Sequence, residues 1–281
     1  MQKTLVVGAT GTLGRHVVAR LVEERVPVRA ATRQPASYRA DVEAVHFDFD
    51  DARTFDGALR GITRVFLIAR PGDENSDRTS IPFLDAARAA GVERVVNVSA
   101  MGAEREDHVP ALRAIERHLE ASAMAFTHLR PGFFFQLFAS GPMLASIRAR
   151  RVIALPAADA RISFLDGRDV ADVAVEALVR DACVGKALTL TGADAIDHHA
   201  VARILSDASG EAIRYVPLDE DTTRQMLAAM PSDRVERFLR FYRLVRRGDA
   251  GEVTPTLTDV LGRAPRAFDA FARENAAVWR Q

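Results

Sequence analysis

Along the first half of the chain, short apolar runs alternate with longer stretches whose apolar residues recur every three or four positions. The runs lie at residues 5–7, 26–31, 42–47, 64–69, 93–99 and 125–129. Each is rich in Val, Ile, Leu or Phe, which predicts buried strands. Between them, residues 15–24, 52–59, 76–90 and 109–122 have helical spacing; Gly91 closes the third of these, and Asp50 or Asp51 caps the second. The fourth run has no charge inside it, as a central parallel strand requires, and Arg70-Pro71-Gly72 breaks it. Strands alternating with helices predict an α/β fold, a Rossmann-like doubly wound parallel sheet, over residues 1–130. Residues 131–281 then predict a smaller C-terminal α/β lobe.

The pattern changes after Arg130. Pro131-Gly132-Phe133-Phe134-Phe135-Gln136-Leu137-Phe138 packs four of the fifteen phenylalanines into six positions. This block either lines a substrate pocket, through Phe133, Phe134 and Phe135, or fills a seam between two lobes. Residues 161–165 read as a short strand, and Asp166-Gly167-Arg168-Asp169 opens a helix to about residue 180. Residues 187–191 read as a strand that returns the chain to the main sheet. Asp197 caps a helix to residue 208, residues 213–216 form a strand, and the remainder reads as three or four helices broken at Pro231, Gly248, Pro255 and Pro265.

The first strand ends in a motif with chemical content. Gly8, Gly11 and Gly14 stand three apart, directly after the strand and at the opening of the first helix. In such a turn the first glycine permits the reversal, the second lets a pyrophosphate approach the backbone, and the third lets helix and strand meet. Thr10, Thr12 and Leu13 then lie beside helix-terminal N–H groups that favour an anion, so the motif predicts a dinucleotide. Nineteen positions after Gly14 stands Arg33, and no acidic residue occurs between Val26 and Arg39. An acid at that strand tip would bind the ribose hydroxyl of NAD; an arginine there accepts the 2′-phosphate of NADP(H). Asp48 and Phe49, at the end of the third strand, fall beside the same crevice.

Composition narrows the partners. The 38 basic and 38 acidic residues cancel, so no overall field draws the chain to nucleic acid or to an anionic membrane. No apolar run has the length of a membrane span, no signal peptide is legible, and the single Cys183 suits a reducing compartment, which together point to the cytoplasm. His198-His199 invites a metal reading, but adjacent side chains do not share a helix face and no carboxylate stands at ligand spacing, so no metal is expected. The pattern is compatible with a monomer or a homodimer.

The glycine turn, Arg33, His118-Leu119-Glu120-Ala121-Ser122, Thr127-His128-Leu129-Arg130-Pro131-Gly132-Phe133, Ile162-Ser163-Phe164-Leu165-Asp166 with Asp169, Leu190-Thr191-Gly192 and Leu261-Gly262-Arg263-Ala264-Pro265-Arg266 resemble one family along nearly the whole chain. It is the NmrA-like branch of the atypical short-chain dehydrogenases/reductases, which includes quinone and triphenylmethane dye reductases. The resemblance implies an NADP-binding domain and a C-terminal substrate lobe. It places the diphosphate on residues 10–13, the 2′-phosphate on Arg33, adenine against Asp48 and Phe49, and the nicotinamide half near Ala69, Arg70 and Ser99. The wider superfamily protonates carbonyls with a tyrosine and a lysine four residues on. Here the residues four beyond Tyr38, Tyr215 and Tyr242 are Val42, Asp219 and Arg246; Lys3 opens the first strand and Lys186 reads as part of a late loop. Related isoflavone-reductase-like enzymes have a lysine eight residues before a helical glutamate. With Glu116 as that glutamate, His108 takes the place, as a proton donor or as a surface histidine after Glu106-Asp107. Two functions follow: an NADPH-dependent reductase of a small quinone-like acceptor, working without the Tyr-Lys pair, or an NADP(H)-binding redox-sensing regulator without turnover.

Overall fold

The computed structural model describes residues 2–38, 41–70, 72–105 and 108–280. Arg39, Pro71, Glu106 and Asp107, which enter the sequence reading, lie outside the described residues. In chain order the elements are β1 (Thr4–Val7), α1 (Thr12–Glu23), β2 (Val28–Thr32), β3 (Glu43–His46), α2 (Phe55–Leu59), β4 (Arg64–Ile68), α3 (Asp77–Ala89), β5 (Arg94–Val98), α4 (Pro110–Glu120) and β6 (Ala125–Pro131). There follow α5 (Gly141–Arg150), β7 (Val152–Leu155), α6 (Gly167–Val179), β8 (Lys186–Leu190), α7 (His198–Ser209), β9 (Arg214–Pro217), α8 (Glu220–Met226), α9 (Ser232–Arg246), α10 (Thr256–Leu261) and α11 (Phe268–Glu274).

These elements form two units. The first comprises Met1–Pro131, Gly167–Leu190 and Asp259–Gly262; the second comprises Gly132–Asp166, Thr191–Thr258 and Arg263–Gln281.

The first unit is a seven-stranded sheet of order β3-β2-β1-β4-β5-β6-β8, with every pairing parallel. Because β2 and β3 lie to one side of β1 and β4 to the other, the strand order reverses between β1 and β4. The crevice at the carboxyl ends of these two strands is the switch point at which such sheets take ligands. Alternation along β1 sends Leu5 and Val7 to one face, into a core with Leu67, Phe83, Leu84 and Ile115, while Val6 between them faces the opposite way. On α1, Val17, Val18 and Leu21 form the buried stripe. That helix packs along α6, with Arg20 Nε 3.0 Å from Asp172. Asp51 caps the turn ahead of α2 by accepting from the Arg53 amide at 3.1 Å. The return strand begins at Lys186, so this lysine opens β8 opposite Thr127 rather than standing in a loop. Among the described residues no helix is long and apolar enough to cross a membrane.

The second unit has a parallel pair, β7 with β9, and a core of Phe135, Phe138, Ile153, Phe164, Leu205 and Trp279. The Trp279 indole donates to the Phe138 carbonyl at 2.8 Å, so its polar atom is satisfied inside that core. Two departures from the sequence reading occur here. Residues 161–165 form isolated bridges rather than a strand. Their amides bond to several segments: Ile162 to Ile196, Ser163 to Ala250 and Leu165 to Phe133, so no ladder with one neighbour can extend. Conversely, α5 and β7 are not legible from the pattern, because α5 buries only Ile147 and has no apolar stripe.

Candidate functional site

The apolar, β-branched β1 stops at Gly8, whose φ of 76° is open to glycine and strained for other residues. The turn is also packed too closely for side chains. A Cβ on Gly8 would lie 2.5 Å from the Ile68 side chain, and one on Gly14 would lie 2.1 Å from the Gly8 carbonyl oxygen. The Gly11 amide closes the turn on that same oxygen at 2.9 Å. Gly11 is also the N-cap of α1, with no side-chain cap and no acidic residue in the first turn. The helix therefore presents N–H groups and the positive end of its dipole with no carboxylate on them, at the carboxyl end of β1. Thr10, Gly11 and Thr12 are exposed at this point. Leu13 buries its side chain, so only its backbone can meet a ligand.

Beside this turn lies a cleft of about 1280 Å³, lined in part by Thr10, Arg15, Arg33, Tyr38, His46 and Asp48. Arg33 leaves the carboxyl end of β2, and its carbonyl is 3.1 Å from the Nδ1 of His46, the last residue of β3. Asp48 is held by its own loop: its side chain accepts from the Asp50 amide at 3.1 Å, and its amide donates to the Thr54 hydroxyl at 3.1 Å. Burial pushes the Tyr38 phenol above its ordinary pKa. Phe49 has a different setting. Its ring stands edge-on to Phe47 and Phe83, with centroids 4.9 and 6.0 Å away, so it extends an aromatic cluster and is not part of the cleft lining.

Ala69 and Arg70 follow β4, and Ser99 follows β5, at the same carboxyl edge. Arg70 is paired with Asp50 at 2.9 Å, and hydrogen bonding to that carboxylate raises its pKa. The exit loop of β5 is stitched to β6: the Ser99 amide donates to the Leu129 carbonyl at 2.7 Å, and the Met101 amide to the Pro131 carbonyl at 3.0 Å. Below it stands a buried charge network. Glu116 is fully buried on α4 and accepts two bonds from Arg130, at 2.9 and 2.7 Å, and one from Arg113 at 2.9 Å. Burial by itself would raise the Glu116 pKa, but hydrogen bonding and nearby charge, led by Arg130, together outweigh it and hold the carboxyl below its ordinary value. Arg130 also bonds Glu104 at 3.0 Å, tying the exit loop to the same anchor. His108 is half-buried in the turn before α4. Its ring rests on Gly102, where a Cβ would lie 2.7 Å from Nδ1, and its amide donates to the Arg105 carbonyl at 3.1 Å.

In the second unit, Phe133 and Phe134 are half-exposed, and the Phe133 ring lies 5.1 Å from Phe241. Phe135 differs: it is 2% exposed and packs against Phe268 and Phe271, so its ring belongs to the core rather than to a pocket wall. Tyr215 donates to the Leu155 and Ala158 carbonyls at 3.1 Å each, and burial pushes its pKa up to about 12; burial raises that of Tyr242 as well. Lys3 is engaged by Glu43. His198 is buried among the rings of Phe138, Phe164 and Tyr215, whereas His199 is exposed.

Sequence reasoning passed over Arg15, Tyr38 and His46 in the cleft and the Arg130–Glu116 pair beneath the β5 loop. Arg15 had a legible signal, a cation in the first turn of a helix with no acid beside it. The pair had none, since its partners are fourteen residues apart on different elements.

An all-parallel sheet of this order, with a glycine turn at its switch point and a cleft carrying Arg15 and Arg33 beside it, defines a Rossmann-type dinucleotide-binding chain. The chain belongs to the NmrA-like family, whose model matches residues 1–272. It is 31% identical to the NAD(P)H azoreductase of Xenophilus azovorans, over 98% of this chain and 98% of that protein. It is 33% identical to the (4-alkanoyl-5-oxo-2,5-dihydrofuran-3-yl)methyl phosphate reductase of Streptomyces griseus, again over 98% of each. Among solved structures, the NADPH-dependent quinone oxidoreductase of Escherichia coli, complexed with NADPH, superposes with a TM-score of 0.85 at 22% identity, covering 96% of this chain and 99% of that one.

Proposed function

We propose that this chain is an NADPH-dependent reductase that delivers hydride to a flat, largely apolar small acceptor of quinone type. The observation that supports it most is the pairing of the glycine cradle at the switch point with Arg33 in the adjoining cleft. The cradle fits a diphosphate because side chains would fill it and helix amides point into it; the cleft fits a 2′-phosphate because it offers a guanidinium at the β2 tip. Residues 10–13 would hold the diphosphate through backbone amides and the Thr10 and Thr12 hydroxyls. Arg33 would hold the 2′-phosphate, Asp48 the adenine side, and Ala69, Arg70 and Ser99 the nicotinamide half. When bound, NADPH supplies the hydride.

The residues of this chain supply position and a proton. The β5 exit loop is fixed to β6 and, through Glu104, to Arg130, so Ser99 keeps its place as the ligand binds. His108 provides the proton that reduction of a quinone requires. Phe133 and Phe134 offer half-exposed rings to an aromatic acceptor. No tyrosine is followed four residues later by a lysine, which suits an acceptor that takes hydride without a strong acid. The named relatives, an azoreductase and a furanone phosphate reductase, support reduction as the chemistry and widen the acceptors worth testing.

The test mixes purified protein and NADPH with a quinone, an azo dye and an alkanoyl-furanone phosphate while following loss of reduced-cofactor absorbance. Turnover with any of them supports the reductase. Its absence, together with unequal affinities for NADP and NADPH, would favour the redox-sensing regulator.

A further inference from the structure

We propose that Arg15 is a second anchor for the 2′-phosphate of NADPH, sharing it with Arg33 and setting the preference for NADPH over NADH. The inference rests on the NADPH reading above and adds to it a residue and a division of labour.

The position of Arg15 is electrostatically adverse. It lies in the first turn of α1, three residues after Thr12, where exposed N–H groups make the helix end positive and no acidic side chain compensates. A cation there opposes the helix dipole. Arg20, in the last turn of the same helix, has the opposite situation: the dipole favours it, and Glu23, Glu24 and Asp172 all pair with it. A free-standing cation in the wrong turn is explained if it meets an anion that the folded chain itself does not provide.

The location of Arg15 identifies that anion. Arg15 and Arg33 line the same cleft, one from α1 and one from the tip of β2. Neither guanidinium has a hydrogen-bond or ion-pair partner among the described residues. Of the carboxylates lining the cleft, Glu23 is paired with Arg20, Asp48 accepts from its own loop, and Asp41 is exposed. A helix side chain leans toward the N-terminus, so Arg15 reaches back toward the glycine turn along the edge that faces β2. A phosphate monoester offers three acceptor oxygens; one planar fork takes two of them, which leaves the third for a second donor from the other wall.

Titration calorimetry on the full chain tests this with NADPH, NADH and 2′,5′-ADP, for the unaltered protein, Arg15→Ala and Arg33→Ala. Arg15→Ala is expected to lose about tenfold in affinity for NADPH and 2′,5′-ADP and nothing for NADH. Its melting temperature without nucleotide should equal or exceed that of the unaltered protein, because an adverse charge has been removed. A fold-maintaining role would lower that temperature instead, and an equal loss for NADPH and NADH would move Arg15 to the diphosphate; either result overturns the proposal. Unchanged NADPH affinity in Arg15→Ala, with binding intact in the unaltered protein, overturns the role of Arg15 alone. If the unaltered protein binds neither NADPH nor 2′,5′-ADP, the NADPH reading itself falls and takes this inference with it.

Discussion

Gly14 gives the sharpest quantitative test of the glycine turn. In Gly14→Ala the new Cβ would sit 2.1 Å from the Gly8 carbonyl oxygen, 2.7 Å from its carbon and 3.0 Å from the Ala9 Cα, where ordinary contact begins near 3.4 Å. All three are backbone atoms, so no side chain can swing aside; α1 and the turn must part by more than an ångström. Overpacking of this kind costs about 1–3 kcal/mol, and a clash of backbone against backbone belongs at the upper end. At roughly 2–4 °C per kcal/mol for larger chains, thermal unfolding should move down by about 5–10 °C. The same displacement shifts the amides of residues 10–13, so NADPH affinity should fall by about tenfold or more. Gly57→Ala is the internal control. Gly57 lies in α2 with open space around its Cβ position, where alanine should stabilise by about 0.5–1 kcal/mol. If the reasoning holds, thermal melts of the two variants shift in opposite directions, and nucleotide titration shows a loss for Gly14→Ala alone. A Gly14→Ala protein with unchanged melting and unchanged affinity would refute it.

Three further outcomes follow from the geometry. Arg33→Ala should weaken NADPH binding about tenfold or more while sparing NADH, and equal losses would reject its 2′-phosphate role. Arg130→Met leaves the buried Glu116 with Arg113 alone and should cost about 3 kcal/mol in urea unfolding; adding Glu116→Gln should recover part of it, and a single variant as stable as the parent would sink the anchor. Burial lowers the His198 pKa to about 4, so the unfolded chain takes up that proton near the ordinary value while the folded one resists it. Stability is therefore whole above the unfolded value and falls as pH drops from about 6.5 to 4, by about 3 kcal/mol in all. His198→Phe should flatten that part of the pH-stability curve.

Much of the first unit was readable because a central parallel strand is buried on both faces. Residues 65–69 are an uninterrupted apolar run and residues 95–98 are broken only by the buried Asn97, and the expected strands 64–69 and 93–99 each sit within a residue of β4 and β5. The glycine spacing was readable for a similar reason, since positive φ and backbone contact leave few residue types. The second unit withheld more. A bridge such as Ile162 with Ile196 is decided by which distant segment arrives, not by local alternation, so residues 161–165 resembled a strand. Phe135 and Phe133 are indistinguishable in sequence, yet one is sealed in the core and the other half-exposed. Of the residues read off the sequence, Thr10, Arg33 and Asp48 line one cleft, whereas Tyr38 and His46 required the folding of β2 against β3 to bring them there.

The first unit is discontinuous in sequence: α6 and β8 belong to it although a long excursion separates them from β6. A gene fragment ending at Pro131 would therefore leave the β6 edge without the strand that pairs there and strip α1 of its neighbour. Such a piece is expected to aggregate through that bare edge rather than behave as a transplantable nucleotide-binding cassette. Ribosomal synthesis past residue 190 is the earliest point at which this sheet can close, so any split-protein or fusion design on this scaffold must supply α6 and β8.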